Sequence, residues 1–427
     1  MDRISFDEKD ISKKPALELL QTLGYQYISP DDALAMRGGK TTNVLLEEVL
    51  RRQLRELNSI RIGSHKEARF SEQNIENGVV AMRNVPMENG YISGNEAVYN
   101  MLTLGKVFEQ SIDGDKKSYT MRYIDWEHPE NNVYHVTEEF AVTRTGLSET
   151  YRPDIVLFVN GIPLVVIECK RPDVKDAEEQ AISQHIRNQK DDGIRALYVY
   201  SALLLSVGNS FGSYATTGSA PKFWCKWHEM FLNNEEELAY QKHLLDVVNK
   251  GCQEVRAVTE QDEYIYNLCR HERLLELIYH FTLYDAGVKK LARYQQFFTV
   301  KQTVERVKII EAGKRNGGVV WHTQGSGKTL TMVLLAQKIA TEVSNPRIVL
   351  VTDRTDLDSQ ITKTFRKCGK DVENATTGNK LVELLESNTD SVITTIINKF
   401  ATAIKIRTYS SSLMRLIVVS IKKWQCR

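Results

Sequence analysis

Three charged side chains interrupt an otherwise apolar stretch, 151–172 (YRPDIVLFVNGIPLVVIECKRP): Asp154 near its start, Glu168 and Lys170 near its end. Isolated charges inside apolar runs are costly to bury. Two carboxylates, helped by a backbone carbonyl such as that of Cys169, make the hard oxygen set that holds Mg²⁺, an ion that keeps several of its waters. Such an ion polarises a phosphoryl oxygen and lowers the pKa of a bound water. Lys170 would position that water or steady the developing negative charge. The chemistry is hydrolysis of a phosphodiester. The competing reading is that all three are solvated charges at strand ends.

The elements that must position them follow from the flanking residues. Asn160-Gly161 between two apolar runs is a strong hairpin signal. Runs of Val, Ile, Leu and Phe without polar alternation suit strands covered on both faces. Glu168 and Lys170, two apart, share a strand face. A strict two-residue loop would pair Val159 with Ile162 and leave Asp154 opposite Ile167, with Glu168 turned away. A three-residue loop or one-residue bulge, with Gly161 left-handed, pairs Val159 with Pro163 and sets Asp154 across from Glu168. Pro163 lacks an N–H and tolerates only an edge or bulge position, which favours the irregular turn.

A second constellation lies at His322-Thr323-Gln324-Gly325-Ser326-Gly327-Lys328-Thr329. Gly325 and Gly327 let backbone N–H groups curl around phosphate oxygens, and a helix starting near Lys328 adds its positive end. Lys328 would reach the β- and γ-phosphates and Thr329 would ligate Mg²⁺. His322 stands where the strict consensus asks for glycine. The loop sits between an expected strand at 317–321 and an apolar helix to about residue 340. A buried strand follows at 347–352, and together these make a βαβ unit. Upstream, Gln296 in Arg293-Tyr294-Gln295-Gln296 could supply an adenine contact, although most such glutamines are merely exposed.

The 427 residues suffice for two or three domains, with 42% hydrophobic and 26% charged residues as in ordinary globular chains. Net charge is +1, so any nucleic-acid contact must come from local patches. Six scattered cysteines without zinc spacing read as reduced thiols in a cytoplasmic protein. The N-terminus is charged and no apolar run reaches membrane length, so neither signal peptide nor membrane span is expected.

In chain order, a helix is expected at 14–23 and another from Thr42, with Arg51, Arg52 and Arg55 on its solvated face rather than on DNA. Glu47 or Glu48 could reach a metal site from this second helix, but nothing local supports that. Strand-like runs occupy 79–82, 119–124 and 133–143. After the hairpin an acidic first turn opens a helix to about Gln189 that carries Gln184. A strand is expected at 194–205, a surface loop at 208–221, packing residues at Phe223, Trp224 and Trp227, and helices at 235–249 and 274–284. The fold class is α/β: a small mixed sheet domain over 1–228, a helical connector over 229–288, and a nucleotide-binding unit over 289–427.

With both sites in one chain and in this order, the sequence resembles the restriction (motor) subunit of type I restriction–modification enzymes. Asp154, Glu168 and Lys170, with Pro153 ahead, resemble the PD-(D/E)xK nuclease triad. WHTQGSGKTLTM (321–332) is very like this family's Walker A, histidine included. Gln296 matches the adenine-reading glutamine of helicase motors. Thr352-Asp353-Arg354 with Leu357 resembles the next helicase motif, and Ile393-Thr394-Thr395 with Lys399-Phe400 the following one. Gln184 matches the glutamine of a nuclease-associated QxxxY motif, in which Asn188 stands where tyrosine belongs. The resemblance implies Mg²⁺-dependent cleavage of double-stranded DNA, ATP-driven translocation by two RecA-like lobes, and methyltransferase and specificity subunits as partners.

The family's motor continues into a DEAH-type motif after the strand at 416–419, and here no DExH follows residue 329. The expectation is a truncated subunit whose first RecA-like lobe binds ATP through Lys328 and Thr329 without hydrolysis or translocation. Two other functions compete with a nuclease: a non-cleaving relic that binds ATP or DNA, and a helicase-type ATPase whose N-terminal domain is structural.

Overall fold

The computed structural model describes residues 12–62, 66–171, 173–251, 254–312, 314–323, 325–344, 346–353, 355–387, 392–399 and 416–421. The chain divides into two compact units, Met1–Tyr279 and His280–Arg427. Both are mixed α/β.

The first unit is built on six strands: β1 (Gln26–Tyr27), β2 (Tyr134–Glu138), β3 (Ile155–Val159), β4 (Ile162–Cys169), β5 (Leu203–Gly208) and β6 (Phe211–Ala215). They lie side by side in chain order. The β1–β2 and β4–β5 neighbours run parallel and the others antiparallel. Every residue of β3 and β4 is buried. That burial explains the absence of polar alternation, because both faces of the central hairpin are covered.

Helix α1 (Lys14–Thr22) buries Ala16, Leu17, Leu19 and Leu20. Helix α2 (Glu47–Leu57) and helix α3 (Glu72–Arg83) lie against each other. Arg51 pairs with Glu76 at 2.9 Å and Arg55 with Glu72 at 2.6 Å. Two of the three arginines on that face thus bridge helices. Helix α4 (Ala177–Asn188) packs on β4 and β5, and helix α5 (Glu260–Cys269) packs on β5, β6 and α1.

Several local expectations are corrected. Residues 79–82 are the end of α3, not a strand. Ser71 caps that helix by accepting from the Asn74 N–H, so a complete helix start outweighs the β-branched pair Val79-Val80. The run 194–205 is a short helix, Arg195–Tyr198, followed by β5. The Gly/Ser/Thr-rich tract expected as a surface loop contains β6, wholly buried. Its small residues are a packing requirement: a Cβ on Gly212 would lie 2.3 Å from the ring of Tyr264 on α5. Trp227 is buried but Phe223 is 55% exposed.

The second unit carries a β-hairpin of β7 (Thr282–Asp285) and β8 (Val288–Leu291), helix α6 (Tyr294–Lys308) and helix α7 (Lys328–Glu342). A sheet follows, made of β9 (Arg347–Thr352), β10 (Val372–Asn374), β11 (Val392–Ile396) and β12 (Leu416–Ile421). Its order is β10-β11-β9-β12 and all neighbours are parallel. Helix α8 (Thr355–Lys367) connects β9 to β10, and helix α9 (Gly378–Glu386) connects β10 to β11. Leu381, Leu384 and Leu385 bury against Val349, Val351 and Ile393. The strand expected at 317–321 is not formed. Those residues lie outside every sheet, with Val319 91% and Trp321 72% exposed. High strand propensity does not make a strand without a paired neighbour, so among the described residues α7 is followed but not preceded by a strand of this sheet.

Candidate active site

Asn160 and Gly161 both take left-handed conformations, at φ 52° and 82°, and close a tight two-residue turn. Val159 pairs with Ile162, not with Pro163 as the irregular turn would have it. The odd residue comes later. Phe158 pairs with Pro163 and Leu157 with Val165, so Leu164 is a one-residue bulge. That bulge shifts the register by one, and Ile155 pairs with Ile167. One step further, Asp154 stands across from Glu168. The turn is pinned from outside. The Asn160 amide donates to the Tyr123 carbonyl at 2.9 Å and to Asn132 at 2.7 Å. Gly161 lies so close to α2 that a Cβ would sit 2.5 Å from the Leu46 carbonyl oxygen.

The three expected charges converge. Lys170 Nζ is 3.6 Å from Asp154 Oδ2 and donates to the Cys169 carbonyl at 3.0 Å. The Cys169 N–H donates to the same Asp154 oxygen at 2.9 Å. Gln184 on α4 donates to Glu168 Oε2 at 2.5 Å. One helical turn on, Asn188 donates to Glu168 Oε1 at 3.4 Å. The residue standing in place of the motif's tyrosine therefore serves the same carboxyl as Gln184.

Sequence reasoning missed two participants. Lys13, just ahead of α1 and 7% exposed, lies 3.3 Å from Asp154 Oδ1 and pairs closely with Glu139. Glu139 takes a left-handed backbone at φ 49°, and its N–H donates to the Asp154 carbonyl at 3.0 Å. Neither has a local sequence signal, because both reach Asp154 through tertiary contact. The positive φ of a glutamate is visible only in the fold. Glu47, weighed as a residue that could reach a metal site, is engaged with Arg83 and Asn43 instead.

The electrostatics are those of a strained acid pair. Burial, then the Asp154 charge, push the Glu168 carboxyl well above the usual carboxylate range, against the pull of Lys170 and Arg187. Burial works against the Lys13 ammonium, but Glu139 and Asp154 outweigh it and hold its proton above the usual lysine range. His185 lies wholly buried between the Tyr198 hydroxyl and the Leu205 carbonyl. Burial lowers it to about 4, so it is neutral at physiological pH.

These residues fit a divalent cation. A buried acid crowded by a second carboxylate is relieved when a cation replaces its proton. Asp154, Glu168 and the Cys169 carbonyl offer hard oxygens. Among the described residues no three His, Cys, Asp or Glu side chains form a metal-binding group. An ion here would therefore complete its shell with water, as Mg²⁺ does.

In the second unit the residues expected to form a phosphate loop are placed as follows. Gly325 and Gly327 are left-handed at φ 81° and 78°, and α7 begins at Lys328. Thr323 and Gly325 are exposed, and Ser326 Oγ donates to the Thr323 carbonyl at 2.9 Å. Lys328 and Thr329 open the helix half-buried. Gln296 is 6% exposed, and its amide donates to the Gly327 carbonyl and to Thr331, both at 3.3 Å. It therefore ties α6 to the loop. His322 bonds Thr299 of α6 at 2.9 Å, which gives the non-consensus histidine a structural place. Thr352 is buried at the end of β9, with Asp353 next to it. Thr394 and Thr395 are buried on β11. Arg354, Phe400 and Gln324 lie outside the described residues.

Comparison with known proteins decides the family. Residues 5–223 match the family described as type I restriction enzyme R protein N terminus. The chain belongs to this family. Residues 295–420 match the SWI2/SNF2 ATPase family, which makes the second unit helicase-like. The HindI endonuclease subunit of a type I restriction enzyme from Haemophilus influenzae is 30% identical over 92% of this chain and 36% of its own length. A putative type I restriction enzyme endonuclease subunit, MjaIXP, from Methanocaldococcus jannaschii is 31% identical over 71% of this chain and 29% of its own length. An endonuclease subunit from Staphylococcus saprophyticus is 25% identical over 68% and 28%. The chain thus spans about a third of the length of these R-protein relatives. No helix among the described residues is long and apolar enough to cross a membrane.

Proposed function

We propose that the first unit carries a Mg²⁺-dependent PD-(D/E)xK-type endonuclease site for double-stranded DNA and that the second, a first RecA-like lobe, binds ATP. In this reading residues 1–228 are the nuclease domain, 229–288 a connector whose helix α5 packs on the nuclease sheet and whose strand β7 belongs to the second unit, and 289–427 the motor lobe. The observation that carries it is the convergence of Asp154, Glu168 and Lys170 through the Leu164 bulge.

Asp154, Glu168 and the Cys169 carbonyl would hold the ion. When bound, Mg²⁺ polarises the scissile phosphoryl oxygen and lowers the pKa of its water. Gln184 and Asn188 fix the Glu168 carboxyl, so its oxygens need no reorganisation as charge develops. Lys170, held beside Asp154 and the Cys169 carbonyl, presents its ammonium to the phosphate and steadies the negative charge of the transition state.

At the second site the left-handed glycines and the start of α7 offer backbone N–H groups to phosphates, and Lys328 adds a point charge. Thr329 would ligate the nucleotide's Mg²⁺ and Gln296 would read adenine. Thr352, Asp353 and Arg354 would form a DNA-contacting motif. The relatives are named as endonuclease subunits, so we place the chain with methyltransferase and specificity subunits in a cytoplasmic restriction complex, where Cys169, Cys225, Cys269 and Cys368 remain thiols.

The test is cleavage of supercoiled plasmid with Mg²⁺, alongside calorimetric binding of Mn²⁺ to the same chain. Asp154→Ala, Glu168→Ala and Lys170→Ala should each abolish nicking, and the two acid variants should also lose Mn²⁺. Nicking that persists in all three variants would remove these residues from the chemistry.

A further inference from the structure

The Asp154 carboxylate is not waiting with open oxygens. Its Oδ2 takes the Cys169 N–H and faces Lys170. Its Oδ1 faces the ammonium of Lys13 at 3.3 Å. Two features place Lys13 there. Ser12 and Gln261 of α5 bond reciprocally, hydroxyl to amide oxygen at 2.6 Å and amide to carbonyl at 2.9 Å, and both are buried. Glu139, held left-handed by its N–H bond to the Asp154 carbonyl, turns its carboxylate onto Lys13. The Lys13 side chain itself is 9% exposed, so water does little to screen it.

We propose that Lys13 is a resident cation that competes with the divalent ion for Asp154 Oδ1, and that Glu139 is the second carboxylate on which Lys13 is held once the ion arrives. This rests on the reading of Asp154 and Glu168 as ion ligands. Two cations within a few ångströms of one carboxylate oxygen repel, and the repulsion is strong where solvent is excluded. Glu139 lets that repulsion be relieved without expelling the ammonium. Its side chain is 41% exposed and already in contact with Lys13, so a small shift exchanges a shared ammonium for a dedicated pair. Lys13 left beside an occupied site would add positive charge for an incoming phosphodiester.

The arrangement gives two variants with opposite expected effects, which a merely structural ion pair would not. Lys13→Met removes the competitor and should tighten Mn²⁺ binding to the whole chain, without DNA or nucleotide, by about tenfold. Glu139→Gln leaves Lys13 with Asp154 alone and should weaken Mn²⁺ binding several-fold. Lys13→Arg should bind as the wild type does. Asp154→Asn identifies the heat that belongs to this site, and circular dichroism confirms folding. If Lys13→Met does not fold, Glu139→Gln carries the test, since that carboxylate is partly in water. Mn²⁺ binding that depends on Asp154 but is unchanged or weaker in Lys13→Met, or not weakened in Glu139→Gln, overturns this inference and leaves the nuclease reading intact. Absence of any binding that depends on Asp154, in wild type and variants alike, overturns both.

Discussion

Glu168→Gln should make the ion-free protein progressively more stable than the wild type as pH rises. The Glu168 carboxyl is fully buried beside Asp154, and both effects favour its protonated form in the fold. In the unfolded chain the same group ionises near 4.5. A native carboxyl that keeps a proton the unfolded one has released stabilises the fold below the unfolded value, and that contribution is lost as pH rises toward the native value. Each pH unit in that window costs the wild type at most about 1.4 kcal/mol. Glutamine has the same shape, donates to Asp154 and accepts from one of the two amides, but exchanges no proton. Between about pH 5 and about pH 7 the gap between variant and wild type should therefore widen, by at most about 1.4 kcal/mol for each unit that lies below the native value.

The assay is urea denaturation in chelator at the two pH values, read as the difference between the two proteins so that every other titration cancels. Any offset from the neighbouring Gln184 and Asn188 amides does not depend on pH and drops out as well. Adding Mg²⁺ should restore the wild type and leave the variant unmoved, because only an ionised carboxylate gains from the cation. A gap that stays constant with pH would refute the reasoning. So would a wild type that gains on the variant as pH rises, since that would mean Lys170, Arg187 and the amides already hold Glu168 as an anion.

Two further outcomes follow from the geometry. Gly161→Ala should destabilise the first unit by about 2 to 4 kcal/mol in urea melts, since alanine resists a left-handed φ and its methyl would meet the backbone of α2. Lys328→Ala should weaken ATP binding, followed with a fluorescent analogue, by at least about tenfold while leaving the far-ultraviolet spectrum unchanged.

How much of this could be read beforehand depended on how local each signal was. Asp154, Glu168 and Lys170 declared themselves as charges in apolar runs, and the two candidate registers were enumerable from the pleat alone. The bulge was one of the options, but its position at Leu164 was hidden. A tight Asn160-Gly161 turn and a later bulge give the same alignment of acids as a loose turn. The glycine loop and its helix were legible, whereas the strand before it was not, because pairing partners decide whether Val319, Val320 and Trp321 join a sheet. The tract 208–221 reads as a loop because small polar residues mark both loops and strands pressed against a ring, and Tyr264 lies far along the chain. Lys13 and Glu139 were missed for the same reason.

The bulge connects these levels. With a regular ladder from the Val159–Ile162 pair, Asp154 would face Ile167 and Glu168 would turn to the opposite side of the sheet. The amides of Gln184 and Asn188 on α4 would then lose their acceptor. Leu164 prevents this by occupying a position with no partner on β3, while its carbonyl accepts the Ala202 N–H at 2.8 Å on the other side. Pro163, without an N–H to lose, makes that interruption cheap. A proline and one extra leucine in an otherwise uniform strand therefore determine whether the acids meet, and the acids' meeting is what any ion, and any competition from Lys13, depends on.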